Sequence, residues 1–224
     1  MSRSPLRSVW FDPSQTIARI AHENPGYRLF VLPILAGFAV LPTTALFSTE
    51  DNAIVSGIFL STLLTFGPVL EVLQVLVGAY LIRATGVWLG GKAGVESIQA
   101  AIAWGNVPIV ALAILGIPLM AFSAFYAEFT GVPLSANQSS LVTVIGIVLI
   151  IIQVVIVAWS IGIFWKGLAT VQGYSVGRAI LNSILAWTVV AAIVVIGAAA
   201  LGYTSNLEWL FFAGTDELVL LSGE

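Results

Sequence analysis

LVTVIGIVLIIIQVVIVAWSIGIFW, residues 141–165, runs for 25 residues without a charge. As a helix rising 1.5 Å per residue it reaches about 37 Å, more than the ~30 Å hydrocarbon core of a bilayer. A membrane strand would show segments of about ten residues with alternating polarity, whereas here the apolar run is continuous. The stretch therefore reads as a membrane helix. Working outward, the same reading applies to residues 29–48, 54–82, 98–123 and 179–203. The whole chain agrees: of 224 residues 59% are hydrophobic and 8% charged, with a mean hydropathy of +1.04. A soluble domain carries about 25% charged residues, so most of this surface must face something other than water. The predicted fold is all-α, a polytopic bundle of five transmembrane helices preceded by a short interfacial helix.

Charge placement orients the bundle. All eight basic residues lie before the first span (Arg3, Arg7, Arg19, Arg28), between the second and third (Arg83, Lys92), or between the fourth and fifth (Lys166, Arg178). The alternate connections hold acids alone: Glu50 and Asp51, then Glu128, then Glu208, Asp216, Glu217 and Glu224 in the tail. The positive-inside rule then predicts a cytoplasmic N-terminus and an external C-terminus. Three regions follow: a cytoplasmic segment 1–28, a membrane domain 29–203 and an external acidic tail 204–224. Trp10, Trp88 and Trp165 fall at the predicted inner boundary, Tyr203 and Trp209 at the outer one, as amphipathic rings prefer. The first span is read as retained, because 28 polar or amphipathic residues precede it and no small-residue cleavage pattern follows.

Several functions drop out. With no cysteine and the single His22, disulfides, thiolate metal sites and a cysteine nucleophile are excluded, and no metal or cofactor is expected. A net charge of −3 without a basic run gives no nucleic-acid footprint. No connecting stretch is long enough for a soluble catalytic domain, which needs at least ~40 residues. No enzyme is expected.

Before the first span, VWFDPSQTIARIAHENPG carries helix punctuation: Asp12 as N-cap, Pro13 at the first helical position, Gln15 closing a capping box and Pro25-Gly26 ending the helix. Two placements are open to it. Trp10, Phe11, Ile17 and Ile20 dip into the membrane interface while Arg19 meets anionic headgroups, or the helix packs on the bundle's own end. Trp10, Phe11, Arg19, Arg83, Lys92 and Arg178 are the candidate lipid or partner contacts on this side.

GVWLGGKA, residues 86–93, satisfies the G-x-x-x-x-G-K part of a phosphate-binding loop. Ala93 stands where a magnesium-binding hydroxyl is needed, and a membrane helix rather than a strand precedes it. The glycines are better read as a turn.

Glu71 is the acid inside a span, about 18 Å of helix from Arg83, and a charge there is expensive. With Gly67, Gln74 and Gly78 it forms a stripe of small and polar residues predicted to face protein. Asn106, Gln153 and Asn182 are the candidate amide partners. Pro68, three residues earlier, is expected to open the helix locally. IQAAIAW (98–104) resembles LNSILAW (181–187), and QVLVGAYLI (74–82) resembles QVVIVAWSI (153–161), suggesting two similar helical hairpins.

Three passages, VWFDPSQTIARI (9–20), LGGKAGVESIQAAIAWGNVPIV (89–110) and GLATVQGYSVGRAILNSIL (167–185), together resemble the Yip1 family of five-span membrane proteins, particularly its bacterial branch. The resemblance implies five spans with a cytoplasmic N-terminus. Eukaryotic members act in Golgi and endoplasmic-reticulum trafficking, binding one another and prenylated Rab-type GTPases. This chain has a short leader, and ENPGY (23–27) stands where those proteins carry a D-L-Y-G-P-like motif, which argues against a GTPase partner and for a bacterial inner membrane. The expected role is a non-enzymatic scaffold or adaptor in membrane organisation or trafficking, its partners the lipid bilayer, further copies of itself or other membrane proteins. The alternative is a small transporter or channel using Glu71.

Overall fold

The computed structural model describes residues 4–39, 53–131 and 140–200. Among them are the helices α1 (Pro5–Phe11), α2 (Pro13–Glu23), α3 (Val31–Gly37), α4 (Ala53–Trp88), α5 (Val95–Gly105), α6 (Val107–Thr130), α7 (Ser140–Gln172) and α8 (Val176–Ala200), and no strand. Four stretches are long and apolar enough to cross a membrane: Thr65–Trp88, Val95–Gly116, Val144–Gln172 and Val176–Ala200. The chain is thus an all-α integral membrane protein. The predicted first span is described only at its start, in α3; residues 40–52, the tail 204–224, Tyr203 and Trp209 lie outside the described residues. The chain divides into two compact units, Met1–Asn182 and Ser183–Glu224, and the described part of the second is the remainder of α8.

The leader makes two helices where one is predicted. The Asp12 carboxylate accepts the Gln15 backbone N–H at 3.3 Å and Pro13 occupies the first turn of α2. The Asp12 N–H, which a capping box would give to Gln15, goes instead to the Ser8 carbonyl at 2.8 Å, because α1 ends there and leaves that carbonyl free.

Both helices belong to the bundle. Val9, Ile17 and Ile20 are buried with Ala100, Ala101, Trp104, Val107 and Ile163 in one apolar cluster. α2 lies on α5 and α7, and Gly167 has no Cβ because Ile17 occupies that space. Burying each isoleucine contributes about 1.5–3 kcal/mol, more than an interfacial helix would keep by leaving them in the headgroups. Of the two placements open to the sequence, packing on the bundle is the one adopted. The outward face of α2 carries Gln15, His22 and Glu23, all exposed.

Trp104 anchors this core. It is 0% exposed, its indole N–H donates to the Tyr27 carbonyl at 3.2 Å, and its ring stacks on Tyr27 at 5.8 Å. Val95–Gly116 is the most enclosed of the four stretches, with 61% of its most apolar window buried against 6% for Val144–Gln172. It is also broken. α5 stops at Gly105, Asn106 intervenes, and Pro108 supplies no N–H to continue the ladder. The Gly105 carbonyl accepts the Ser160 hydroxyl of α7 at 2.7 Å, and Phe164 sits where a Cβ on Gly105 would come within 2.9 Å of it. The predicted opening at Pro68 does not occur: α4 is continuous through it. Gly37 of α3 instead packs directly on the Gly67–Pro68 backbone, an approach that only a residue without a side chain permits.

Candidate functional site

Two polar clusters interrupt an otherwise apolar interior. The first lies at the basic end, where the loops 89–94 and 173–175 meet. α4 and α7 stop in the same way. Beyond α4, Gly90 adopts φ +83°, its N–H donates to the Val87 carbonyl at 3.1 Å, and the Gly91 N–H donates to the Gly86 carbonyl at 2.8 Å. Beyond α7, Gly173 adopts φ +73°, its N–H donates to Thr170 at 3.3 Å, and the Tyr174 N–H donates to Ala169 at 3.1 Å. Both are Schellman motifs, with glycine in the left-handed position that side chains disfavour. The two hairpins therefore share their turn chemistry as well as their apolar strings.

Gln172 ties one turn to the other. It is 1% exposed; its carbonyl oxygen Oε1 accepts the Ala93 N–H at 3.1 Å, and its backbone carbonyl accepts the Lys92 N–H at 3.2 Å. Gly86 and Gly91 lie against its side chain, and a Cβ on either would collide with it. The amides of 91 to 93 that a phosphate would need are thus spent within the protein, so GVWLGGKA works as a helix stop wrapped round an amide. Among the described residues Gln172 Nε2 is enclosed with no hydrogen-bond partner.

Beside it, Asn182 is 0% exposed and nearly saturated. Its Oδ1 accepts the Thr85 hydroxyl at 2.5 Å, and its Nδ2 donates to the Ile82 carbonyl at 3.1 Å and the Tyr174 hydroxyl at 2.7 Å. Burial pushes the Tyr174 phenol above its ordinary value, and the Asn182 amide donating to its oxygen offsets part of that rise. One asparagine so joins α4, the 173–175 loop and the start of α8.

The second cluster is inside the span. Asn106, freed by the break between α5 and α6, donates from Nδ2 to Glu71 Oε2 at 3.1 Å. Glu71 is half-buried. Of the three candidate amides, Asn106 is thus brought to Glu71. Asn182 bonds instead to Ile82, about 16 Å further along α4. Gln153 is half-buried on α7 and is not free. The stripe divides: Gly67 is buried under Gly37 and Gly78 is half-buried, while Gln74 is exposed.

On the outer surface of the basic end, Trp10 is half-buried against the core, whereas Phe11 is 86% exposed. Phe11 borders a cavity of about 420 Å³ lined also by Ser8, Asp12, Gln15, Thr16 and Arg19. Arg83, Lys92 and Arg178 are exposed. Sequence reading passed over Thr85, Gln172 and Tyr174. The signal was there in Gly86, Gly91 and Gly173, which mark where neighbouring groups approach a backbone closely.

No curated protein and no solved structure matches the chain. A family model does: the Yip1 domain matches residues 7–198, which takes in α2 to α7, both polar clusters and almost all of α8. The chain belongs to the Yip1 domain family.

Proposed function

We propose that this protein is a non-enzymatic scaffold or adaptor of a bacterial inner membrane, with its basic end and N-terminus in the cytoplasm and its C-terminus outside. The observation that carries the reading is the basic end itself. There the leader helix α2 packs on α5 and α7, Gln172 ties the 89–94 loop to the end of α7, and Phe11 stands 86% exposed beside Arg19. An aromatic ring so placed, where the neighbouring Val9, Ile17 and Ile20 have been turned inward, suits a partner rather than water. Arg83, Lys92 and Arg178 add positive charge for anionic headgroups or an acidic partner segment. A photo-crosslinking residue at position 11, activated in native membranes, is expected to give discrete protein adducts. Lipid adducts alone would overturn the adaptor reading.

A transport reading keeps one observation in its favour. Glu71 is half-buried beside the α5–α6 break, with one carboxylate oxygen engaged by Asn106. In proteoliposomes the scaffold reading expects no proton or cation flux above that of Glu71→Gln. Flux abolished by that substitution would establish transport instead.

A further inference from the structure

Two uncharged runs end at one place. Along α4, Ala53–Leu70 carries no Asp, Glu, Lys or Arg and rises about 27 Å, with Asp51 just before it in sequence. Along α6, Val107–Ala127 carries none either and rises about 31 Å, closed by Glu128. Each run matches a ~30 Å hydrocarbon core. At the basic side they end in Glu71 and Asn106, which are hydrogen-bonded to each other at 3.1 Å. Both helices therefore cross the same slab with this polar pair on its face.

α5 continues the apolar pattern beyond the pair for a different reason. Ile98–Gly105 are all buried, and Glu96 is the one exposed residue of α5. What covers them is protein, since α2, α4 and α7 pack on α5. The chain beside the end of α5 is polar. The Tyr27 carbonyl holds the Trp104 indole, two residues short of Asn106, and His22, Glu23, Asn24 and Arg28 around it are exposed. Among the described residues Arg28 makes no ion pair, and its guanidinium lies 5.4 Å from the centre of the Tyr27 ring. Beyond it the exposed side chains turn apolar, at Phe30, Val31, Ile34 and Leu35. Charges are expelled from hydrocarbon, so this change of character marks the same level as the two acid-bounded runs.

We propose that, on the face the leader covers, the hydrocarbon boundary lies at the α5–α6 break, where phospholipid headgroups meet Arg28 and Tyr27 at the level of the Glu71–Asn106 pair. The third crossing is then α6, while α5 and α2 form a collar about 16 Å deep beyond the lipid. Arg28 faces lipid phosphate, and Tyr27 sits where amphipathic rings gather. α4 keeps Val77 and Tyr80 exposed beyond Glu71, so the displaced boundary belongs to the leader's face. This placement is independent of the scaffold reading, since it holds for a scaffold and for a transporter alike.

Nitroxide labels on single cysteines measure the depth, by collision with oxygen against a nickel chelate, in vesicles of phosphatidylethanolamine and phosphatidylglycerol. The chain has no cysteine of its own, and Glu23, Val31, Leu115 and Phe125 are all exposed. Leu115 lies nine residues past Asn106 and is expected about 13 Å deep, near mid-slab, with Phe125 close to the opposite boundary. Val31 is expected within about one helical turn, ~5 Å, of the near boundary, and Glu23 in water. Were hydrocarbon to begin at Val95, Leu115 would stand about 30 Å further on, at the opposite boundary. Nickel access at Leu115 as high as at Phe125 overturns the proposal, and so does an oxygen-dominated label at Glu23. Ile114→Cys, 65% exposed, repeats the mid-slab reading should Leu115→Cys fail to insert.

Discussion

Asn182 is the side chain on which the basic end turns, because it is buried and makes three hydrogen bonds with two atoms. Asn182→Leu is expected to destabilise the protein by about 1–3 kcal/mol, since the substitution strands the Tyr174 hydroxyl and removes the brace to α4. Thermal unfolding in nanodiscs measures it, and Thr85→Val should cost less because it strands Asn182 Oδ1 alone and leaves both Nδ2 hydrogen bonds in place. Tyr174 adds a pH signature. Its phenol holds its proton more firmly folded than unfolded, so its contribution is complete below about pH 10 and is lost as pH rises through the higher folded value. Between pH 10 and 11 the wild type should lose more melting temperature than Tyr174→Phe. The sequence named Asn182 but placed it with Glu71, because helical spacing tells which residues share a face and says nothing of which helix lies opposite.

The helix stops can be ranked by what surrounds each glycine. Gly90 at φ +83° has open space around its missing Cβ, so Gly90→Ala should cost only the left-handed strain, about 1 kcal/mol. Gly91 lies against Gln172 and donates to Gly86, so Gly91→Ala must also displace the buried amide and should cost at least twice as much. Comparing the two melting temperatures separates backbone strain from steric exclusion. The long helices α4, α7 and α8 were legible in the sequence because hydropathy alone decides them. The break at Asn106 was not, for Pro108 marks no more than a missing N–H, and the Ser160 and Phe164 contacts of α7 that accompany the interruption lie far off in sequence. Pro68 advertised the same and α4 runs through it, with Gly37 packed alongside.

At the scale of the molecule the leader is structural. Ile17→Ala should cost about 2–4 kcal/mol, comparable to truncating a core residue of the spans, because it empties the space above Gly167. Removal of residues 1–23 should lower the melting temperature further and bring Trp104 fluorescence to longer wavelength, as its pocket opens. The amphipathic pattern of 13–23 was plain in the sequence; whether its apolar side met lipid or protein was not, since both reward the same residues.

Helix length has a consequence for the host membrane. α4 spans 36 residues and α7 33, about 54 and 50 Å, against a hydrocarbon slab of ~30 Å. From Ala53 to Ile82 the one Asp, Glu, Lys or Arg is Glu71, so a thicker bilayer finds further greasy helix to cover and a thinner one is met by tilt. Hydrophobic mismatch is absorbed by these two helices. α8, with at least ~33 Å of uncharged helix from Ala179 to Ala200, covers the same slab on its own.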